Sequence, residues 1–417
     1  MKVLIGGAGI GGLALALSLH HRFDDIDIQL YDAAPEFRPL GLGINLMPHA
    51  VRVLAELGLR SRLAHVAVEA KEFAFYTSRG QQIHTEATGI DAGYAYPHFS
   101  IHRGDLHSVL HRAVVERIGA ERVHTGHRLA DFAQDEAGVA ARFVDAEGHT
   151  VAMATGDVLI GADGLHSAVR KAFYPDEGEP LFHGINMWRG VTRGAPFLSG
   201  ASATRVGALH RTGKLVVYPI RDDIDGNGTQ LINWVVEVVT DAASPTDWSA
   251  PGRLEDFIDL FAGWKFDWLD VERLVRDADI ILSYPMADRD PVDRWTFGRV
   301  TLLGDAAHPM YPRGGNGAAQ AILDAEALAA CLATTSDPFT ALAEYESERL
   351  PIVNKIVLTN RETPPDALIE EVERRTGGGT FERIDDVIST AEIEAFTKGY
   401  QVVAGYDLET VANKGRT

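Results

Sequence analysis

The chain begins MKVLIGGAGIGGLALALSLHH, and the spacing Gly7-x-Gly9-x-x-Gly12 restricts what it can fold into more than any other stretch. KVLIG reads as a short buried strand, Leu13 to Phe23 as a helix, and DIDIQLYD as a second strand ending at Asp32. A glycine turn between strand and helix, with an acid roughly twenty residues further on, opens a βαβ dinucleotide-binding unit. One glycine permits the tight turn, one lets the backbone approach a pyrophosphate, and one lets the helix pack closely on the strand. The anion then rests on the helix N-terminus. A secretory signal would also start with a basic residue and an apolar run. Here five glycines interrupt the run, no small-residue cleavage site follows, and the segment passes straight into a strand.

Composition removes several function classes. With 39 Lys and Arg against 59 Asp and Glu, the formal charge of −20 argues against nucleic acid and anionic membrane surfaces as partners. A single small anion remains compatible, held by local arginines or helix N-termini. No long apolar stretch beyond the opening residues suggests a membrane span. Cys331 is the only cysteine, so an internal disulfide, a CxxC zinc site and a dithiol redox pair are all excluded. A cytoplasmic location follows as the expectation, and Cys331, after AILDAEALAA, reads as a small buried hydrophobe. Sixteen histidines show no HExxH, and no metal site is expected.

Further along, FRPLGLGINLMPHAVRVLAELGL gives a glycine loop and a helix starting near Pro48. EFAFYT and QQIHTEA, joined by SRG, read as a β-hairpin, and IHRGDLHSVLHRAVVERIG as an amphipathic helix. From about residue 181 the texture changes to strand-like runs, INMWRGVTRG, KLVVYPIRD and QLINWVVEVVT, followed by a helical stretch, LEDFIDLFAGWKFDWLD. The fold class expected is α/β: a Rossmann-like dinucleotide-binding domain, interrupted by an antiparallel β-sheet substrate domain. Residues 1–70, 101–180 and 285–365 would form the first, residues 71–100 and 181–284 the second, and 366–417 a C-terminal helical segment.

Three stretches carry the choice of ligand: the opening fingerprint, DVLIGADGLHSAVR from Asp157, and GDAAHPMYPRGGNGAAQAILDA from Gly304. Each is a buried strand, or follows one, with a small-residue turn and a helix start. One dinucleotide uses all three only if it is long and lies across the sheet. Extended FAD does so, whereas NAD normally needs only the first, so the Rossmann-like domain is expected to be an FAD-binding domain of the glutathione-reductase type. With these motifs in order, the chain resembles the class A flavoprotein aromatic hydroxylases, the p-hydroxybenzoate and salicylate hydroxylase group. Within that group it is most similar to the phenazine-1-carboxylate hydroxylase type, through YPHFSIHRGDLH, NMWRGVT, YPMADRDP and HPMYPRGGNGAAQAILDA.

The resemblance implies roles residue by residue. Gly7, Gly9 and Gly12 would cradle the FAD pyrophosphate, Asp32 the adenosine ribose, and Arg103 the ribityl and phosphate region. Asp163 and Gly164 would form the motif linked to FAD and pyridine nucleotide, and Asp305 would meet a ribityl hydroxyl. Pro312 would sit by the reacting face, with the backbone of Gly315, Asn316 and Gly317 at the isoalloxazine edge. Bland readings stand beside these: Asp163 and Asp305 as helix caps, Arg103 as a cap or ion-pair partner of its own helix, His308 as a structural histidine, and Arg189 as either structural or substrate-binding.

The absence of a dithiol and of a second fingerprint fits an enzyme visited transiently by NAD(P)H; the resemblance implies that O₂ then reacts through a flavin C4a-hydroperoxide to hydroxylate an aromatic or N-heteroaromatic, possibly carboxylated, substrate. A same-scaffold epoxidase, an O₂-independent reductase and a non-enzymatic flavin-binding protein are the alternatives. Trp188, Tyr218, Trp234 and Tyr311 are candidates for the substrate walls, His98, Tyr218 and Pro312 for the catalytic group, and the assembly is expected to be a monomer or homodimer.

Overall fold

Three strand ends stand side by side at the centre of the molecule, which the computed structural model describes over residues 1–37, 42–241 and 250–414. Lys2–Gly6 pairs in parallel with Asp27–Tyr31 on one side and Val158–Gly161 on the other, and Val300–Leu302 follows Val158–Gly161. The register sets Gly6 opposite Gly161, and Gly161 opposite Leu302. Val123–His124 and the antiparallel Thr296–Phe297 complete a six-stranded sheet. Its inner strands are apolar without alternation because both faces are covered, as parallel strands require.

Helix Ile10–Arg22 starts directly after the glycine turn, three residues earlier than expected, and packs against Arg103–Ile118 and Gly317–Thr334. Its small residues permit that approach: a Cβ on Gly11 would stand 2.7 Å from Leu303 Cδ2 and 3.3 Å from the Ala321 Cβ. His20, His21 and Arg22 in its last turn complement the helix dipole. A separate antiparallel meander, Arg128–Gln134, Val139–Val144 and Thr150–Gly156, adds Leu129, Ala141 and Phe143 to the same core.

A seven-stranded sheet forms the second layer, ordered Ala278–Asp288, Leu181–Gly194, Gln230–Val239, Lys214–Arg221, Ser202–Val206, Glu72–Tyr76 and Gln82–Ala87. The early hairpin therefore joins this sheet through a parallel pair with Ser202–Val206. His98–His102 runs across the expected boundary between residues 100 and 101 and belongs elsewhere, in a three-stranded sheet with Gly43–Leu46 and Ala67–Ala70. The stretch LEDFIDLFAGWKFDWLD was expected to be helical. It is instead two short 3₁₀ turns, Leu254–Asp256 and Ile258–Phe261, before helix Val271–Arg276. Phe257, Phe261 and Trp264 all plug into one face of the large sheet, and Gly263 at φ +78° breaks any continuous helix between them.

The C-terminal segment covers the other face of that sheet. Its helices Ala367–Thr376, Thr390–Ala404 and Leu408–Lys414 bring Leu368, Ile369, Tyr400 and Tyr406 against Phe73, Phe75, Tyr218 and Ile220. A buried ionic knot holds it there. Asp366 Oδ2 accepts from Lys214 Nζ on the large sheet and from Arg313 Nη2 of the loop before Gly317, both at 2.9 Å, and Lys214 also pairs with Glu237 at 2.8 Å. Burial opposes the charge on Asp366, but Lys214 and Arg313 hold its carboxyl well below the usual range. Asp366→Ala strands Arg313 in the core. It is expected to cost about 3–5 kcal/mol in urea unfolding and to hasten proteolysis within residues 366–414.

Candidate active site

The three motifs meet because the strand ends they follow are neighbours. The Ala162 N–H donates to the Gly6 carbonyl at 2.7 Å, and the Leu303 N–H to the Gly161 carbonyl at 2.9 Å. Gly7 has φ +110°, and a Cβ there would lie 2.1 Å from the Ala162 oxygen; one on Gly12 would lie 1.9 Å from the Gly7 oxygen. Gly9 differs, since a Cβ on it would meet nothing within 4 Å. Two of the glycines thus serve the fold, and the third faces open space in front of an uncapped helix N-terminus.

Side chains fix these turns, and two of them, His107 and Arg170, were missed in the sequence reading. His107 Nε2 lies 2.9 Å from the Ala8 carbonyl. Asp32 accepts from the N–H groups of Ala8 and Ala34, both at 2.8 Å, so it braces the turn and keeps lone pairs for a ribose hydroxyl. Arg170 donates to the carbonyls of Ala306 at 3.2 Å and Ala307 at 2.5 Å, tying the second motif to the third. Asp163 caps helix Ala168–Phe173, accepting from Ala168 N–H at 2.7 Å and from the Ser167 hydroxyl. Burial raises its carboxyl above the ordinary value despite those bonds. Gly164, at φ +78°, has open space where a side chain would stand.

The third motif is built around Asp324, a fully buried charge inside helix Gly317–Thr334. Its oxygens meet His308 Nε2 at 2.5 Å, Arg349 Nε at 2.8 Å and the Gly304 N–H at 3.2 Å. Burial works against its charge, and His308 and Arg349 hold it below the usual carboxylate range. His308 is therefore structural, and the single acid in AILDAEALAA facing the core was the signal for this hub. Beyond it, Asp305 is exposed with no partner among the described residues, its Oδ1 4.0 Å from where a Gly317 Cβ would stand. Helix Gly317–Thr334 has no side-chain cap and no acid in its first turn, Gly315 (φ +64°) faces open space, and both amide atoms of buried Asn316 lack partners among the described residues. Pro312 is exposed at the start of the turn Pro312–Gly314. Arg103 is likewise exposed on the first residue of its helix.

Two free helix N-termini, three open glycines and an orphaned buried amide along one line of strand ends fit a long dinucleotide with an anionic middle and a polar ring edge. A sequence family described as FAD binding domain matches residues 1–242 and 268–360. The phenazine 1,6-dicarboxylic acid hydroxylase PhzS of Lysobacter antibioticus is 41% identical over 405 residues, covering 96% of each chain. The salicylate hydroxylase of Pseudomonas putida is 31% identical over 392 residues, 87% of this chain and 85% of that protein. The chain belongs to the class A FAD-dependent aromatic hydroxylases. Its fold matches that of Klebsiella pneumoniae HpxO complexed with FAD and uric acid, with a TM-score of 0.75 at 26% identity over 99% of this chain and 97% of that one. The protein is an FAD-dependent aromatic monooxygenase, with NAD(P)H as the reductant typical of the family. Among the described residues, no helix of this hydroxylase is long and apolar enough to cross a membrane.

The substrate candidates separate by strand parity. Trp188 and Trp234 point to the far face of the large sheet and pack on Phe257, with ring centroids at 5.4 and 6.0 Å. Trp234 Nε1 also donates to Thr192 Oγ1 at 3.0 Å. They are core, not pocket walls. Tyr218 lies on the opposite face with Arg189 and Asn233, and Tyr311 packs there with Met187, Val235 and Tyr284. The Gly43 carbonyl accepts from Tyr218 Oη at 2.8 Å and Arg189 Nη2 at 2.5 Å. Burial pushes the Tyr218 phenol up to about 12, so at neutral pH it donates a proton rather than taking one. His98 is fully buried, with Nε2 at 3.1 Å from Asn45 Oδ1, and burial and Arg205 hold its ring down to about 3. So weak a base does not take a phenol's proton. Cys331 is buried on its helix, its thiol pushed up to about 11.

Two outcomes follow. Gly9→Ala should keep the fold but weaken FAD binding by roughly tenfold or more, whereas Gly12→Ala should disrupt the turn and lower thermal stability as well; FAD titration and melting curves separate them. For His98, the unfolded ring takes a proton near pH 6.5 and the folded one only near 3. The stability this group confers is therefore full above pH 6.5 and drains as pH falls toward 3. His98→Gln should lose less melting temperature between pH 7 and pH 4.5 than the unchanged chain does.

Proposed function

We propose that this hydroxylase acts on a planar N-heteroaromatic acid of the phenazine carboxylate type, held between the flavin loop Tyr311–Gly317 and the flavin-side face of the large sheet. The observation that carries this reading is the 41% identity to a phenazine 1,6-dicarboxylic acid hydroxylase over 96% of both chains. The face opposite the flavin loop supports it: apolar Met187 and Val235 lie beside Arg189, Tyr218 and Asn233, a flat wall with polar groups at its margin.

FAD, reduced by NAD(P)H and reacting with O₂, supplies the oxygen that is inserted into the ring. The rest falls to the protein. Gly7, Gly9 and Gly12 with the N-terminus of Ile10–Arg22 would hold the pyrophosphate, Asp32 the adenosine ribose, and Arg103 and Asp305 the stretch between them. The free N–H groups at the start of Gly317–Thr334 would face the ring edge where negative charge gathers on reduction, a preorganised arrangement that costs no reorganisation during turnover. Pro312 would stand at the reacting face and Tyr311 would close the substrate side. Tyr218, whose one hydroxyl proton goes to the Gly43 carbonyl, would orient the substrate by accepting a hydrogen bond. Water is kept out by the C-terminal helices, because Tyr400 lies against the flavin loop: a Cβ on Gly314 would fall 1.5 Å from its Oη. Excluding water protects the oxygen-transferring step from wasteful release of H₂O₂.

Anaerobic and aerobic NADH oxidation with phenazine carboxylates and simple benzoates, with product masses, tests the reading. The expected product from a phenazine acid gains one oxygen, with or without loss of CO₂, and consumes one O₂. NADH oxidation that proceeds unchanged without O₂ would instead make the protein a reductase, and a gain of oxygen only with single-ring acids would move the substrate class.

A further inference from the structure

Helix Thr390–Ala404 of the C-terminal segment reaches both ends of the loop Tyr311–Gly317. Tyr400 and Ala404 share one face of that helix, one turn apart. Tyr400 Oη donates to Asn360 Oδ1 at 2.7 Å, and Asn360 Nδ2 donates to the Tyr311 carbonyl at 3.1 Å, where the loop begins. The Ala404 carbonyl accepts from Gln320 Nε2 at 3.1 Å, in the first turn of the helix that follows the loop. That carbonyl stands in the last turn of its own helix, where the helix itself supplies no donor. Gln320 gives its other amide atom, Oε1, to Arg349 Nη2 at 2.7 Å, which fixes its orientation.

Gly314 shows how closely the tyrosine is fitted. It lies in the turn Pro312–Gly314 without a positive φ, so its backbone does not call for glycine. A Cβ there would nevertheless fall 1.5 Å from Tyr400 Oη and 2.8 Å from Asn360 Oδ1. The tyrosine hydroxyl occupies the place of a side chain. Asn360 and Gln320 are fully buried, and burial pushes the Tyr400 phenol well above its ordinary value, so Oη keeps its proton and donates.

The N–H groups at the start of Gly317–Thr334 carry no side-chain cap, and N–H groups held in place favour a negative charge set before them. When NADH passes a hydride to FAD, NAD⁺ leaves and the reduced ring retains the two electrons, one proton and one negative charge. We propose that Tyr400 and Asn360 are positioning residues for this reaction: in series they fix the start of the loop, Gln320 and Ala404 fix its end, and this clamp sets how readily the bound flavin accepts electrons. The inference rests on the reading that the loop lies at the flavin ring edge, and it assigns the alignment of that loop to the C-terminal segment.

The midpoint potential of the flavin in the holoenzyme, with anaerobic stopped-flow reduction by NADH, tests the clamp. Tyr400→Phe keeps the ring and deletes only the hydroxyl. It should make the potential more negative and slow reduction roughly 3- to 10-fold, with FAD content unchanged. Asn360→Leu, which breaks both bonds of the series, should act at least as strongly, and the double variant should go no further than Asn360→Leu alone. Val402→Ser, on the exposed side of the same helix, should change neither quantity. Asn316→Ala, in the loop itself, removes an amide with no partner among the described residues and should shift the flavin absorption spectrum. A Tyr400→Phe protein that melts lower but keeps its potential and reduction rate would overturn the clamp, as would an equal change with Val402→Ser. An unchanged spectrum in Asn316→Ala would overturn the placement of the loop beside the flavin, and the clamp with it. A shifted spectrum there with Tyr400→Phe silent would overturn the clamp alone.

Discussion

A side chain at Gly7 would stand 2.1 Å from the Ala162 carbonyl oxygen, and the rest of the site depends on the closeness that this position allows. Because the first turn can lie directly on the second, the chain ends of three parallel strands stay in register, Gly6 to Gly161 to Leu302, as they leave the sheet. Three helix or turn starts that are more than a hundred residues apart in sequence then share one edge. Parallel strands deliver this naturally, since their ladders put every C-terminal end on the same side and the ligand crevice forms outside those ends. Motifs separated in the chain become one extended binding surface through this single geometric fact.

Holding that surface still is the work of buried charges rather than of apolar packing alone. Asp324 gathers His308, Arg349 and the Gly304 N–H, so the loop after Leu302 is tied to the helix that follows it and to the next. Asp366 does the same one step outward, joining Arg313 of the loop Tyr311–Gly317 to Lys214 of the large sheet. Ion pairs of this kind contribute little net stability compared with apolar replacements, but removing one partner is severe. Their geometry gives the loop Tyr311–Gly317 one position relative to both the large sheet and the C-terminal segment.

Local signals made the nucleotide half legible. Strand, glycine turn, helix and acid follow one another within about thirty residues, and each of the other two motifs has its own small-residue turn, so the ligand was readable before any contact was known. The substrate half was not legible in the same way. In INMWRGVT and QLINWVVEVV both faces of the strand are covered, so burial runs through consecutive residues and no alternation marks which side is which. Trp188 and Arg189 are neighbours in sequence but lie on opposite faces, one in the core beneath the 254–276 stretch and the other beside Tyr218 and the Gly43 carbonyl. Aromatic character drew attention to Trp188 and Trp234, and a one-residue parity that the sequence does not display decided against them.

The same blindness applies to the C-terminal segment, for a different reason. Its helices have ordinary amphipathic patterns, and nothing in a pattern states what the apolar face meets. In the fold that face lies on Phe73, Phe75 and Tyr218, Tyr400 reaches Asn360 Oδ1 at 2.7 Å, and Asn360 Nδ2 in turn holds the Tyr311 carbonyl at 3.1 Å. Gln320, on the first turn of the flavin-facing helix, donates to the Ala404 carbonyl at 3.1 Å. A segment that touches the flavin loop at Gly314, its helix at Gln320 and the large sheet at Lys214 cannot shift without disturbing all three. The C-terminal helices, the loop Tyr311–Gly317 and the large sheet are therefore parts of one packed unit, and displacing any one of them disturbs the other two.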